Sequence, residues 1–551
     1  MTGLPIEEVL PTLRAVLGAG TGAVLQAPPG AGKTTRVPLA LLEEKWLAAG
    51  KIVLLEPRRL AARTAAERMA ALLGEGVGET VGYRMRHETR IGARTRIEVV
   101  TEGVLARLLQ ADPALEGVGL VIFDEFHERS VHADLGLALV LESRAVLRED
   151  LRLLVMSATL EGEGVSALLG GAPIVTSEGK SYPVETHYLP RRPEGALEGR
   201  VVAAVRKALA EQEGDLLVFL PGAGEIRRVE GELLAAELGA GVRIAPLHGT
   251  LPQEAQDRAL LPSPPGGARK VVLATSIAET SLTIEGVRVV IDCGLMRVPR
   301  FSPRTGMSRL ETVPVSRASA EQRRGRAGRT APGVCYRLWT EGEDRLLAPR
   351  GTPEILEADL APLALELAAW GAREPGELRW LDPPPAAAFA QARELLQAFG
   401  ALDAAGAITP HGRKMAALAA HPRLSHMLLR ARELGLGALA AEVAALLGER
   451  DLLRSTEGAP DVDLRLRLEL LRGEGEGEAR HRGFSVDRGA LARVRREAAH
   501  WRERLGVRQP RDHADLDSAG LVLAFAYPDR VALRRAGASG RFLLRNGRGA
   551  L

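Results

Sequence analysis

Apolar positions along the chain follow two rhythms. Ile6, Val9, Leu10, Leu13, Val16 and Leu17 recur at helical spacing, and the short apolar run at 23–26 that follows ends in a glycine-rich turn. Helix, strand and loop are predicted in that order. Further short apolar runs bounded by turn or polar residues come at 52–55, 97–100, 120–123 and 151–156, with helical segments between several of them. That alternation predicts a parallel sheet covered by helices. Beyond Tyr182-Pro183 the pattern starts again, with runs at 216–220, 271–274, 287–291 and 334–338, so a second α/β domain follows the first. From about Trp339 the strands are expected to stop, and Ala- and Leu-rich helical stretches take over at 363–370, 386–399 and 436–447. An Arg- and Glu-rich stretch covers 464–511, and residues 540–551 read as the opening of a strand-rich unit that the chain does not complete.

Composition narrows the classes. With 551 residues, 46 % of them apolar, the chain has room for about three to five domains, each able to bury a core. Cys293 and Cys335 are the only cysteines and lack metal-ligand spacing, which excludes a disulfide framework or zinc site and fits a reducing cytoplasm. No basic flank with an apolar core opens the chain, and no uninterrupted apolar run reaches the ~20 residues a bilayer requires, so neither export nor a membrane span is expected. A net charge of +3 points only weakly to a polyanion, despite a sequence pI of 9.0. Aromatic residues make up 3 %, too few for a surface that holds bases mainly by stacking, so backbone contacts should dominate.

The chemistry-bearing residues lie at strand ends. Ala27-Pro28-Pro29-Gly30-Ala31-Gly32-Lys33-Thr34-Thr35 follows a strand and reads as a phosphate cradle. Gly30 and Gly32 let backbone N–H groups turn toward phosphate oxygens, with Ala31 between them. Lys33 offsets β/γ-phosphate charge, and the Thr34 hydroxyl, beside Thr35, can ligate magnesium. Ala27 departs from the strict pattern, which has glycine there. Asp124-Glu125-Phe126-His127 ends the run at 120–123, where a magnesium carboxylate must sit to face the loop. Asp124 is expected to hold magnesium through water, and Glu125 to orient and deprotonate the attacking water. Arg326 and Arg329 lie three apart near the end of the second domain, so both can point at ATP held by the first, as arginine fingers supplied within one chain.

These strings, with DEFH standing where DEAH is usual, resemble the DEAH-box family of superfamily-2 helicases. The resemblance recurs in order through Glu56-Pro57-Arg58-Arg59, Thr101-Glu102-Gly103, Ser157-Ala158-Thr159, Leu247-His248-Gly249, Ala274-Thr275-Ser276-Ile277-Ala278-Glu279-Thr280-Ser281 and Gln322-Arg323-Arg324-Gly325-Arg326-Ala327-Gly328-Arg329. It implies two tandem RecA-like P-loop domains, at 1–178 and 179–340, with Gln322 at the γ-phosphate or water and His127 coupling the domains. It further implies a strand track of Arg58, Arg59, Arg84, Thr101, Thr250, Thr275 and Ser281, contacting phosphate and ribose without reading sequence. Arg68 matches the family's adenine-stacking arginine, while Leu260 stands where an aromatic residue usually closes the other face. No base-reading string is evident, so ATP with Mg²⁺ is the expected substrate and other nucleotides should be accepted. Residues 296–301 and 308–313 flank a turn-rich string and predict a hairpin, which in this family lies where duplex strands part; Arg297, Arg300, Arg304 and Arg309 could brace phosphates there.

Past the motor, the resemblance implies a winged-helix unit at 341–412, a helical ratchet-like domain at 413–516 and the truncated start of an OB-like unit at 517–551. A bacterial branch of the family matches best, through Leu381-Asp382-Pro383-Pro384-Pro385, Leu402-Asp403, Thr409-Pro410-His411-Gly412, Tyr527-Pro528-Asp529-Arg530 and Asn546-Gly547-Arg548-Gly549. The expected activity is a monomeric, cytoplasmic motor that moves 3′-to-5′ along single-stranded nucleic acid, RNA by family precedent, and unwinds or remodels it. An ATP-gated RNA clamp and a DNA-directed translocase remain as alternatives. A P-loop NTPase ring acting on proteins or small molecules would borrow its arginine finger from a neighbouring subunit.

Overall fold

The computed structural model describes residues 4–85, 88–158, 162–179, 182–192, 194–236, 238–239, 241–264, 266–279, 284–302, 306–455, 461–509, 515–536, 540–545 and 547–550. The chain forms two compact units, one of Met1–Asp359 with Pro375–Pro385, the other of Leu360–Glu374 with Ala386–Leu551.

The first unit holds two large sheets and a two-stranded one. Strands β1 (Gly22–Gln26), β2 (Lys51–Glu56), β3 (Val81–Met85), β4 (Glu88–Arg90), β5 (Ile97–Thr101), β6 (Val118–Phe123), β7 (Arg152–Ser157) and β8 (Ile174–Thr176) lie in the order β4-β3-β5-β2-β6-β7-β1-β8. All neighbours are parallel except the β3–β4 pair at one edge. Ile52, Leu54, Ile97, Val99, Leu120, Ile122, Leu154 and Met156 are fully buried in one core, with the helix Arg59–Leu73 supplying Ala62, Ala66 and Met69. Burial on both faces explains why these strands read as uninterrupted apolar runs. Since the strands run parallel, their C-terminal ends share one edge, where ligands of open α/β sheets bind. The register pairs Gln26 with Ser157, Glu56 with Thr101 and Leu55 with Phe123, so the segments beyond β1, β2, β5, β6 and β7 emerge together.

The second sheet runs β11-β12-β10-β13-β16-β9, all parallel, through β9 (Val184–Tyr188), β10 (Asp215–Phe219), β11 (Val242–Leu247), β12 (Arg269–Ala274), β13 (Val287–Asp292) and β16 (Gly333–Arg337). Between β13 and β16 the antiparallel hairpin β14 (Leu295–Ser302) and β15 (Met307–Pro314) is paired from Leu295↔Pro314 to Ser302↔Met307. It extends one residue past each predicted strand end. The helix Arg317–Gly325 follows, capped by the Ser316 hydroxyl, which accepts from the Ser319 N–H.

The second unit is helical, with Ala361–Trp370, Ala386–Ala398, Pro422–Glu433, Gly437–Gly448 and Arg488–Leu505 among its helices. Its largest core joins Met427, Leu439, Val443, Val494 and Trp501. Strands do not stop at Trp339, contrary to the sequence expectation: Leu453–Ser455 pairs with Phe484–Val486, and Ala532–Arg534 joins Phe542–Leu544 and Gly549–Ala550 in a small sheet, the last two within the stretch at 540–551 expected to be strand-rich. These pieces are two or three residues long, too short for a periodic signal. Among the described residues no helix is long and apolar enough to cross a membrane.

Candidate nucleotide site and strand track

The loop after β1 turns sharply into the helix Lys33–Leu41. Gly30 and Gly32 have φ of +88° and +93°, a region open to glycine and strained for other residues, so the cradle depends on both. Ala27 and Ala31 are buried in the first core, which accounts for small apolar residues flanking the glycines. Gly32 caps the helix and Lys33 opens it, so the following N–H groups face the loop's concave side. Lys33, Thr34 and Thr35 therefore begin the helix.

Across the sheet edge, Lys33 Nζ donates to Glu125 Oε1 at 2.8 Å and lies 3.8 Å from Asp124 Oδ1. Thr34 Oγ1 donates to Asp124 Oδ2 at 2.5 Å, and the Glu125 N–H donates to Asp124 Oδ1 at 2.7 Å. Glu125 sits in the left-handed region at φ 49°, unusual for a non-glycine residue and locally strained. Burial pushes its carboxyl up, but Lys33, His127 and Arg326 outweigh that and hold it at about 2. His127 Nδ1 accepts from the Ala158 N–H at 3.2 Å, which leaves Nε2 to face Glu125 Oε2 at 3.5 Å. His127 thereby links the carboxylate to the segment after β7; Thr159 lies outside the described residues. Glu56, at the end of β2, was not among the predicted site residues. It is 1 % exposed, and burial with the neighbouring Asp124 and Glu125 raises its carboxyl well above the usual range. Three buried carboxylates thus face one ammonium. Thr34 and Asp124 converge at the point where a divalent cation would sit, and their oxygen donors suit one.

The second domain reaches this site through its arginines. Arg329 Nε would lie 3.8 Å from a Cβ placed on Gly30, so its side chain lies against the phosphate loop. Burial brings Arg329 down to about 10 against the pull of Glu125. Arg326, 4 % exposed, donates from Nε to the Glu279 carbonyl at 3.0 Å; burial and then Arg329 depress its pKa well below the usual value, with Glu125 and Glu279 opposing. Arg323, also absent from the predicted set, is fully buried. It donates to Glu279 Oε2 at 3.1 Å, Asp292 Oδ1 at 2.8 Å and the Leu295 carbonyl at 3.3 Å, tying the helix Arg317–Gly325 to the segments after β12 and β13. Nothing in the alternation of Gly and Arg distinguishes this anchor from its neighbours. Gln322 lines a cleft of about 740 Å³ between the domains, with Arg58, His127 and Glu128 on one side and Ser276 and Glu279 on the other.

The predicted track divides. Arg58 bridges the domains: it donates to Glu128 Oε2 at 3.2–3.3 Å and to the Ser276 carbonyl at 3.0 Å. Arg84 pairs with Glu98 at 2.8 Å, Arg297 with Glu225 at 3.0 Å, and Arg300 with Glu311 and Glu357 at 3.1 and 2.8 Å. Arg309 also pairs with Glu311. Arg59 is exposed at the start of its helix. Thr101 and Thr275 stand at the N-cap positions of the helical turns after β5 and β12, neither with a side-chain capping hydrogen bond, and the exposed Thr250 bonds His248 Nδ1 at 2.8 Å. Ser281 and Arg304 lie outside the described residues. Arg68 is exposed on the helix Arg59–Leu73, and Leu260 is half-buried against the second domain's core.

Residues 7–168 match the DEAD/DEAH box helicase family and residues 200–331 the helicase conserved C-terminal domain. The chain is 46 % identical over 551 residues to the ATP-dependent RNA helicase HrpB of Escherichia coli, spanning 100 % of this chain and 64 % of that protein. It is 40 % identical over 453 residues to the pre-mRNA-splicing factor ATP-dependent RNA helicase prp22 of Schizosaccharomyces pombe, covering 81 % of this chain and 38 % of that one. The crystal structure of the Escherichia coli DEAH/RHA helicase HrpB superposes with a TM-score of 0.86 at 46 % identity, over 100 % of this chain and 66 % of that one. A crystal structure of the same bacterium's DExH-box NTPase HrpB gives a TM-score of 0.82 at 46 % identity, over 100 % and 64 %. The chain therefore spans less than two thirds of the length of these relatives.

Proposed function

The chain belongs to the DEAH-box helicases, and on that premise we propose that it hydrolyses ATP to move along single-stranded RNA, 3′-to-5′, and to unwind or remodel it. The observation that carries this reading is the meeting of the two domains: Arg329 lies against Gly30, and Arg326 and Arg329 both feel the charge of Glu125. A finger supplied within one chain makes a monomer sufficient, unlike a ring that borrows it. Bound Mg²⁺, held by Thr34 and Asp124, would neutralise phosphate charge and polarise the phosphoryl group.

Lys33 holds Glu125 as an ion pair, which lowers the carboxylate's basicity. When Lys33 turns to the β/γ-phosphates, Glu125 loses that partner and becomes a stronger base toward the attacking water. Arg326 and Arg329 stabilise charge developing on the phosphoryl oxygens, while Gln322 lines the cleft beside them. Arg58 ties domain closure to the strand track, through Glu128 in the first domain and Ser276 in the second. Two buried cysteines accord with a cytoplasmic setting. The same reading assigns residues 341–412 to a winged helix, 413–516 to a ratchet-like domain and 517–551 to the start of an OB-like unit.

ATPase assays with matched RNA and DNA oligonucleotides test the proposal. RNA should stimulate turnover more than DNA, and Arg329→Ala should lower stimulated turnover by about 10³-fold while leaving ATP affinity near wild type. Equal stimulation by both would replace RNA with a general nucleic-acid track. Unchanged turnover in the variant would remove the finger.

A further inference from the structure

Outside the nucleotide site, aromatic side chains gather in one place in the helical unit. Phe399, His411, His426 and Phe525 line an open cleft of about 660 Å³, a size suited to a small planar ligand. The ring of His426 stacks on Phe399, with centroids 4.6 Å apart and 12° between planes; His411 meets His426 edge-on at 5.1 Å and Phe525 does so at 6.5 Å. His411 Nε2 and His426 Nδ1 share a hydrogen bond of 2.9 Å, which fixes the two imidazoles as one surface. Burial, then His411 and Arg430, hold His426 down at about 4, and burial lowers His411 as well, so both rings favour the neutral form.

Charge sits at the rim instead. Lys414 and Arg430 are exposed at the cleft, Arg430 beside Glu433 and Lys414 with no ion pair among the described residues. Across residues 397–433 there are five basic side chains, Arg413, Lys414, Arg423, Arg430 and Arg432, against two acidic ones, Asp403 and Glu433. A chain with 3 % aromatic residues and 9 phenylalanines has thus placed two phenylalanines and two histidines in one open cleft with cations at its edge. Phe399 is 4 % exposed and covered by the His426 ring, so it backs the wall, and the half-buried rings of His411, His426 and Phe525 meet the cleft. A neutral aromatic wall with a cationic rim suits one unit of a single strand, its base against His411 or Phe525 and its phosphate at the ammonium.

We propose that the cleft bounded by Phe399, His411, His426 and Phe525 is a nucleobase-stacking subsite for single-stranded RNA, with Lys414 contacting an adjoining phosphate. The proposal rests on the reading of the chain as an RNA motor and adds a binding site to it. The subsite is tolerant of base identity, because every base presents a π-face.

Binding of a fluorescein-labelled 20-nucleotide oligouridine RNA to the full chain tests it, by anisotropy, beside the same strand with abasic residues. Phe525→Leu keeps apolar bulk against the helical core and removes the ring; it should weaken binding of the base-bearing strand about tenfold and leave the abasic strand unaffected. Lys414→Glu, at an exposed position, should weaken both strands and flatten the dependence of affinity on salt. Overlaid circular dichroism melts check that both variants are folded. Wild-type affinity in Phe525→Leu, or equal weakening on both strands, overturns the subsite and leaves the cleft to a protein segment or to structure. A wild-type chain that binds neither strand sinks the motor reading itself, and the subsite with it, and so differs from failure of the subsite alone.

Discussion

Two arginines three positions apart should fail in opposite ways when replaced by methionine. Arg323 is fully buried between Glu279 and Asp292, which are 7 % and 0 % exposed, and its guanidinium lies 4.9 Å from the centre of the Phe219 ring. Arg323→Met leaves two buried carboxylates without their cation. Removing one partner of a buried pair costs about 3–5 kcal/mol. For a domain of about 150 residues that lowers the melting transition by about 6–20 °C, at 2–4 °C per kcal/mol. Arg326 is as deeply buried, but burial and Arg329 depress its pKa well below the usual value, so its charge is held at a cost. Arg326→Met should therefore leave the transition in place or raise it, while nucleic-acid-stimulated hydrolysis falls by about 10³-fold. Calorimetry of the full chain with steady-state turnover reads both. The reasoning is refuted if Arg323→Met moves the second domain's transition by less than about 3 °C, or if Arg326→Met destabilises as much as Arg323→Met.

Lys33→Ala should bind ATP weakly, whereas Glu125→Gln should bind ATP and hydrolyse it very slowly; near-wild-type hydrolysis in Glu125→Gln would take the base role from that residue. Burial raises the Glu102 carboxyl to about 7 in spite of a hydrogen bond from Ser130. A carboxyl whose folded pKa is raised contributes stability present at low pH and lost as pH rises through the folded value, so between about pH 4.5 and 7 the wild type should lose about 3 kcal/mol that Glu102→Gln keeps. Urea midpoints across that window measure this, and parallel curves for the two proteins would refute it. Replacing residues 299–310 of the hairpin by a short Gly-Ser turn should abolish unwinding and spare ATPase; joint loss of both activities with the fold intact by circular dichroism would make the hairpin part of the motor's frame.

What was legible in the sequence follows burial. Every strand predicted from an apolar run, β1, β2, β5, β6, β7, β10, β12, β13 and β16, lies inside its sheet with neighbours on both sides. The strands missed cluster at the edges: β4 and β8 bound the first sheet with β3 beside β4, and β11 and β9 bound the second. Edge strands are half wet, so β9 reads Val-Glu-Thr-His-Tyr and β11 carries Pro246, which resembles a breaker until an edge removes the need for its N–H. The same division holds in the site. Residues at the ends of interior strands, Lys33, Asp124 and Glu125, were predicted because a strand, a turn and a reactive group coincide in sequence. Partners brought by a second strand were not: Glu56 meets Asp124 only through the β2–β6 register, and Arg323 meets Asp292 only through the packing of its helix on β13. The arginines of the track show the limit from the other side. Arg84, Arg297 and Arg300 are basic groups in the right order along the chain, and each is held by a carboxylate 11 to 72 positions away in sequence. To bind a phosphate each must exchange that carboxylate for it. Strand affinity is then a difference between two ion pairs, and the salt dependence of binding should be shallower than the number of arginines along the track suggests.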